Sequence, residues 1–309
     1  MTRIEERNTQ NNWYKKVEMP GYRQFLILIG MLCVGFSLAL IASIIVIASS
    51  RGVHLADLSN AKKIPHSLAI WLLIIQDIFF FALPAFMFAK IVGIQKNYFQ
   101  FKKSTPATLW LLTAVIAFAA LPTSDIFSQI NEWIPISKHL RDVFKAAEEQ
   151  YNNQASLIID FKSPGNFIVS LLLIAALPAI VEELLFRGAL QKVLLKWVGK
   201  PFPAILITSI IFSVIHWSYF GFLPRLFLGM ILGYVYYYGK NIWLNMFVHF
   251  INNAVVLISL YINSKNGIVN LKDMSNDVTP IYVQIMGVIV LIAALYFFAK
   301  NAKTQTLKS

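Results

Sequence analysis

Eight apolar stretches, near 25–49, 67–89, 107–123, 167–189, 203–217, 221–239, 243–263 and 281–299, constrain this chain more than anything else in it. A helix needs about 20 predominantly apolar residues to cross a bilayer, and most of these stretches meet that length. The third and fifth are short. The expected fold is an all-α polytopic membrane protein with about eight transmembrane helices. Composition agrees, with 14% charged residues and 57% hydrophobic ones in 309, against about 25% charged in soluble domains. The first 24 residues are polar, and the run behind them is too long for a signal-peptide core, so it reads as an uncleaved first helix.

Charge sets the expected orientation. Segments 1–24, 90–106, 187–202, 240–242 and 300–309 hold 17 of the 27 Lys and Arg, while nine of the 15 acids fall in the alternate connections. The positive-inside rule then places both termini in the cytoplasm. The expected organisation is a cytoplasmic tail at 1–24, one transmembrane domain at 25–300 and a second cytoplasmic tail at 301–309. The net charge of +12 is spread over short connections with no basic stripe of interleaved aromatics, so nucleic acid is not an expected partner. The single cysteine, Cys33, lies in the first apolar run, so no disulfide can form within the chain. No internal repeat is visible, which weighs against an inverted-repeat transporter. The longest connection, about 124–166, is expected outside. Its Ile136, Leu140, Val143, Phe144 and Ala147 recur at helical spacing, as in an amphipathic helix on the membrane surface or over the bundle. A substrate-recognition lid is the alternative there.

Inside the fourth stretch stand Glu182, Glu183 and Arg187. A charged side chain near the bilayer centre costs roughly 2.5–3.5 kcal/mol on insertion scales, so three together need a reason. On a helix Glu183 and Arg187 are i and i+4, in the favourable order for an ion pair. Glu182 points about 100° away and lacks a local partner, which suits a general base or a metal ligand. The plain alternative is that both acids reach back to the interface and end the span. Three of the five histidines, His54, His66 and His139, lie in connecting segments; His216 and His249 lie in apolar stretches, and Asn253 follows His249 by one turn. Glu182, His216 and His249 form a donor set that catalytic zinc uses. Equally, Glu182 and His216 could hold a water while His249 and Asn253 donate to an oxyanion. Asp77 and Arg225, the other charges in or beside the spans, stay outside this set as structural or interfacial groups.

The order Glu182-Glu183-x-x-x-Arg187, Phe212-x-x-x-His216 and His249-x-x-x-Asn253 resembles the CAAX-protease and bacteriocin-processing (Abi) intramembrane endopeptidases, which include the eukaryotic type II CAAX prenyl endopeptidase. The resemblance covers about 167–260, the expected catalytic core. It implies hydrolysis of a peptide bond in a membrane-associated substrate, lipid-modified or not. Glu182, His216, His249 and Asn253 would be catalytic; Glu183, Arg187 and Phe212 would support them. The family is usually classed among metalloproteases, which implies zinc on Glu182, His216 and His249, and a metal-free activated-water mechanism is also argued for it. The expected location is a multi-pass membrane protein, in the cell membrane if bacterial. Two readings from other classes stand beside the enzyme: a non-catalytic peptide-binding or immunity-type membrane protein, and a proton-coupled transporter.

Depth sets one condition on this site. At about 1.5 Å per residue from the expected helix ends, Glu182 lies about 8 Å, His249 about 10 Å and His216 about 20 Å from the cytoplasmic side. The three meet only if helices tilt or the fourth runs on through the amphipathic Gln191–Trp197 segment. Pro178 removes one backbone hydrogen bond and allows a kink. The charged stretch is therefore expected deeper than hydropathy suggests, in a cavity opening to the cytoplasm.

Overall fold

A computed structural model describes residues 19–50, 63–92, 97–102, 104–265 and 279–306. Of the tails expected at 1–24 and 301–309, residues 1–18 and 307–309 lie outside these residues, while 301–306 continue the last helix. Among the described residues the chain forms nine helices. They are α1 (Gly21–Ser49), α2 (His66–Val92), α3 (Ala107–Trp133), α4 (Lys138–Ser156), α5 (Pro164–Val198), α6 (Pro201–Val214), α7 (Phe222–Gly239), α8 (Ile242–Lys265) and α9 (Ile281–Thr306). Every apolar stretch of the sequence falls in or overlaps one of them. Six, namely α1, α2, α3, α5, α8 and α9, are long and apolar enough to cross a membrane; α6 is apolar but has only 14 residues. The chain is an integral multi-pass membrane protein.

The surface is apolar where lipid would touch it. Leu26 on α1, Leu111 on α3 and Ile289 on α9 are exposed, while Asp77, Glu182, Glu183, Arg187, Asn245 and His249 are buried. Association of such helices draws on close packing and interhelical hydrogen bonds rather than on apolar burial, since lipid tails are as apolar as leucine. One core gathers residues of α1, α2, α5 and α6, with Tyr236 of α7 and Ile242 and Met246 of α8. A second is built from α3, α7, α8 and α9.

α3 and α5 run furthest past the apolar stretches that mark them. α3 continues through Ser124, Asp125, Gln129 and Asn131 to Trp133, because polar side chains end a hydropathy count without ending a helix. α5 runs unbroken for 35 residues to Val198, through the amphipathic Gln191–Trp197 segment. Its regularity is interrupted by π-helical turns at Leu172–Ala176 and Phe186–Gln191. The first sits directly before Pro178, whose missing N–H leaves a carbonyl of the preceding turn free. α5 ends at Gly199, in the left-handed conformation at φ 74° that a C-terminal glycine adopts without a Cβ penalty. Lys200 and Pro201 then open α6.

These lengths remove the depth mismatch. Glu182 lies 16 residues from Val198, about 24 Å along α5, and His216 lies 15 residues beyond Pro201, about 22 Å along and past α6. α8 starts deeper than the others, because the Ile242 side chain packs at Gly188, about 15 Å inward from Val198, and His249 is about 10 Å further on. All three side chains reach the same level.

Candidate active site

The site is assembled on the most buried stretch of α5, where every residue from Val181 to Gln191 is buried. Glu183 and Arg187 are 0% exposed and Glu182 7%, so the acids do not reach back to an interface. Arg187 Nη1–H donates to Glu183 Oε1 at 3.0 Å, the i,i+4 pair expected from spacing. Its Nη2–H donates to the Gly229 carbonyl of α7 at 3.1 Å. The guanidinium lies 4.9 Å from the centroid of the Phe212 ring, a cation–π contact without water to compete.

His249 ties the two carboxylates together. Its Nδ1 lies 3.0 Å from Glu183 Oε1 and its Nε2 3.8 Å from Glu182 Oε2. Glu183 thereby receives both Arg187 and His249 on one oxygen. Among the described residues Glu182 receives no hydrogen bond on Oε2, and Glu183 Oε2 and Asp77 Oδ2 are likewise buried without a partner. Buried acceptors in proteins are nearly always paired, so these oxygens call for a donor such as water or a substrate N–H.

Phe212 forms the other wall. Its ring meets His216 at 4.9 Å and His249 at 5.8 Å, both edge-on. The half-buried His216 follows the end of α6, with Nδ1 2.7 Å from the Phe212 carbonyl. Nδ1 can only donate to that carbonyl, so the tautomer leaves Nε2 as an acceptor. Among the described residues His216 stands outside hydrogen-bond range of Glu182 and His249, and the Phe212 ring separates the two histidines. Asn253 shares a face of α8 with His249 one turn earlier; its own recorded contact is with Asn252. Asp77, on a π-helical turn of α2, is buried and within electrostatic range of Glu182. Arg225, in the first turn of α7, is in range of both Glu182 and His216.

Among the described residues no three His, Cys, Asp or Glu side chains are grouped to hold a metal ion. His249 spans the two glutamates while His216 stands apart across Phe212, so Glu182, His216 and His249 are not gathered around one point.

Some supporting residues escape a motif reading. Gln191 Nε2–H donates to the Gly233 carbonyl at 2.9 Å, repeating one turn on what Arg187 does at Gly229. Glu183, Arg187 and Gln191 thus form an i, i+4, i+8 line facing Gly229-x-x-x-Gly233 of α7. A Cβ on Gly233 would come 2.6 Å from Ile205, and one on Gly229 would come 2.9 Å from Ser209. Glycine is what lets α5, α6 and α7 meet closely here. The small-x-x-x-small pattern and the polar Gln191 in an apolar run were the available signals.

The fold and the site together define a multi-pass helical membrane protein with a buried carboxylate–histidine cluster at one level of the bundle. Residues 164–255 match the family model described as type II CAAX prenyl endopeptidase Rce1-like. The matched stretch takes in α5, α6, α7 and α8 as far as Val255, hence all three motifs. No curated protein and no solved structure matches the chain.

Proposed function

We propose that the chain is an intramembrane endopeptidase in which Glu182 activates water to hydrolyse a peptide bond of a membrane-associated substrate. The observation that carries this reading is the contrast between two adjacent glutamates. Glu183 accepts from Arg187 and His249 on Oε1, whereas among the described residues Glu182 accepts no hydrogen bond and its Oε2 lies 3.8 Å from His249 Nε2. A water on that oxygen passes a proton to Glu182 as its oxygen bonds to the scissile carbonyl carbon. His216 Nε2, an acceptor by its tautomer, orients the water. The Asn253 amide stabilises the oxyanion of the tetrahedral intermediate, and His249 does so through Nε2–H in its doubly protonated form, since its Nδ1–H is taken by Glu183. Glu182 then returns the proton to the leaving nitrogen as the C–N bond breaks.

Zinc chemistry would draw on Glu182, His216 and His249, which would have to regroup to bind it. Metal analysis and chelator sensitivity of active protein decide that point. The substrate class named in the family description is a prenylated protein end, and it is the first to assay, with unmodified peptide in parallel. The proposed topology keeps eight crossings with both termini cytoplasmic.

The decisive variant is Glu182→Gln, which keeps shape and removes the base. Cleavage is expected to fall by about 10²–10⁴-fold, the usual share of general base catalysis, with the thermal unfolding midpoint in detergent nearly unchanged. Wild-type cleavage by this variant refutes the mechanism, and retention of the biological function without cleavage favours a peptide-binding role.

A further inference from the structure

His216 is carried by the turn between α6 and α7, and that turn is held by residues outside the family segment. Asn131, in the last turn of α3, is 1% exposed. Its Nδ2–H donates to the Tyr219 carbonyl at 2.9 Å, and its Oδ1 accepts the Leu223 N–H at 3.2 Å. One side chain thereby clips the turn to the start of α7. α4 adds two contacts from one face. Phe144 stacks on Tyr219, with centroids 4.5 Å apart and planes 3° off parallel. One helical turn on, Glu148 accepts the Ser218 hydroxyl at 2.6 Å, and that hydroxyl accepts the Gly221 N–H at 3.1 Å. None of the described side chains of α4 is buried, and Phe144 and Glu148 are among its few half-buried ones.

The turn has reason to need this support. It leaves α6 through Trp217, 85% exposed and at φ 51°, a left-handed conformation that a bulky residue holds only where its surroundings impose it. Among the described residues the His216 imidazole is hydrogen-bonded only to the carbonyl of Phe212, whose ring it also meets edge-on. Where its other nitrogen points therefore depends on the backbone of this turn.

We propose that Asn131, together with Phe144 and Glu148 of α4, positions His216 for the reaction. The role rests on the protease reading of the site. It gives the polar connection between α3 and α5 a task that neither a surface helix nor a lid supplies.

The test uses the full chain in detergent. Asn131→Ala, Phe144→Ala and Glu148→Ala are compared with the wild type by hydrogen exchange across 213–223 and by cleavage kinetics, each alone and combined with His216→Ala. Asn131→Ala is expected to speed exchange of the Leu223 amide about tenfold. It should also lower kcat about tenfold, with KM within about twofold. In the His216→Ala background the further loss should be under about twofold, because a residue acting through His216 has nothing left to position. Glu148→Ala and Phe144→Ala should follow the same pattern more weakly, and they carry the test if Asn131→Ala does not fold. Unchanged exchange at the turn, or a full additive loss without His216, overturns the proposal. A wild type that cleaves nothing refutes the protease reading and removes this role with it, whereas an active wild type with an indifferent turn sinks this proposal alone.

Discussion

Arg187 shows how the charges of α5 survive in an apolar bundle. It satisfies Glu183, a backbone carbonyl and an aromatic face at once. Replacing it with alanine strands Glu183 as a buried anion shared only with His249. Breaking a buried pair from one side costs about 3–5 kcal/mol, so Arg187→Ala should lose much of its folded population on thermal unfolding in detergent. Glu183→Gln should cost less, because the amide oxygen still accepts from both Arg187 and His249, although the Arg187 charge loses its counter-charge. An Arg187→Ala variant as stable as wild type would mean that the pair is not what holds this level of the bundle. The pair itself was legible in the sequence, since i and i+4 on a helix are neighbours. The His249 bridge was not. Its existence depends on where α8 begins, and α8 begins some 15 Å further in than counting from its apolar stretch suggests.

At the scale of elements, the site depends on how closely α7 approaches α5 and α6. Gly229 faces Ser209, including its backbone, where a Cβ would stand 3.1 Å from the Ser209 Cα. Backbone cannot rotate aside as a flexible side chain can. Gly229→Val should therefore push α7 from α6, lengthen the Arg187 contact to the Gly229 carbonyl, and destabilise by about 1–3 kcal/mol. Unfolding in detergent measures the loss. Cleavage should fall with it, since the same carbonyl positions Arg187; full activity in a destabilised Gly229→Val would separate the helix contact from the site. Helix identity was readable from apolar length, and the amphipathic 136–151 segment from its spacing. Helix extent was not, because hydropathy stops at Thr123 and at Ala189 while the backbones run on to Trp133 and Val198. Packing and capping decide those ends.

At the scale of the whole molecule, orientation links charge to geometry. Three of the connections assigned to the cytoplasm from their charge, 90–106, 187–202 and 240–242, meet at one end of the bundle. Lys102 N–H contacts the Asn241 side chain, the Ile242 N–H donates to the Gln100 carbonyl, and Lys192 reaches the Tyr98 carbonyl. α4 and the His216 turn belong to the other end, because α6 climbs from Lys200 towards them. A 35-residue α5 of about 52 Å exceeds the roughly 30 Å hydrocarbon layer. Lys192 and Lys196 near its end, with Lys200 just beyond it, lie where that excess would leave the membrane, and Glu182 lies near the middle of the helix. The positive-inside rule predicts that the lysine end is cytoplasmic. With Cys33 replaced by serine, Lys200→Cys should react with a membrane-impermeant maleimide only after permeabilisation of cells, and Lys145→Cys should react in intact ones. The reverse pattern would invert the molecule and put the lysine end outside, against the charge rule, while leaving the carboxylate–histidine cluster at the same depth.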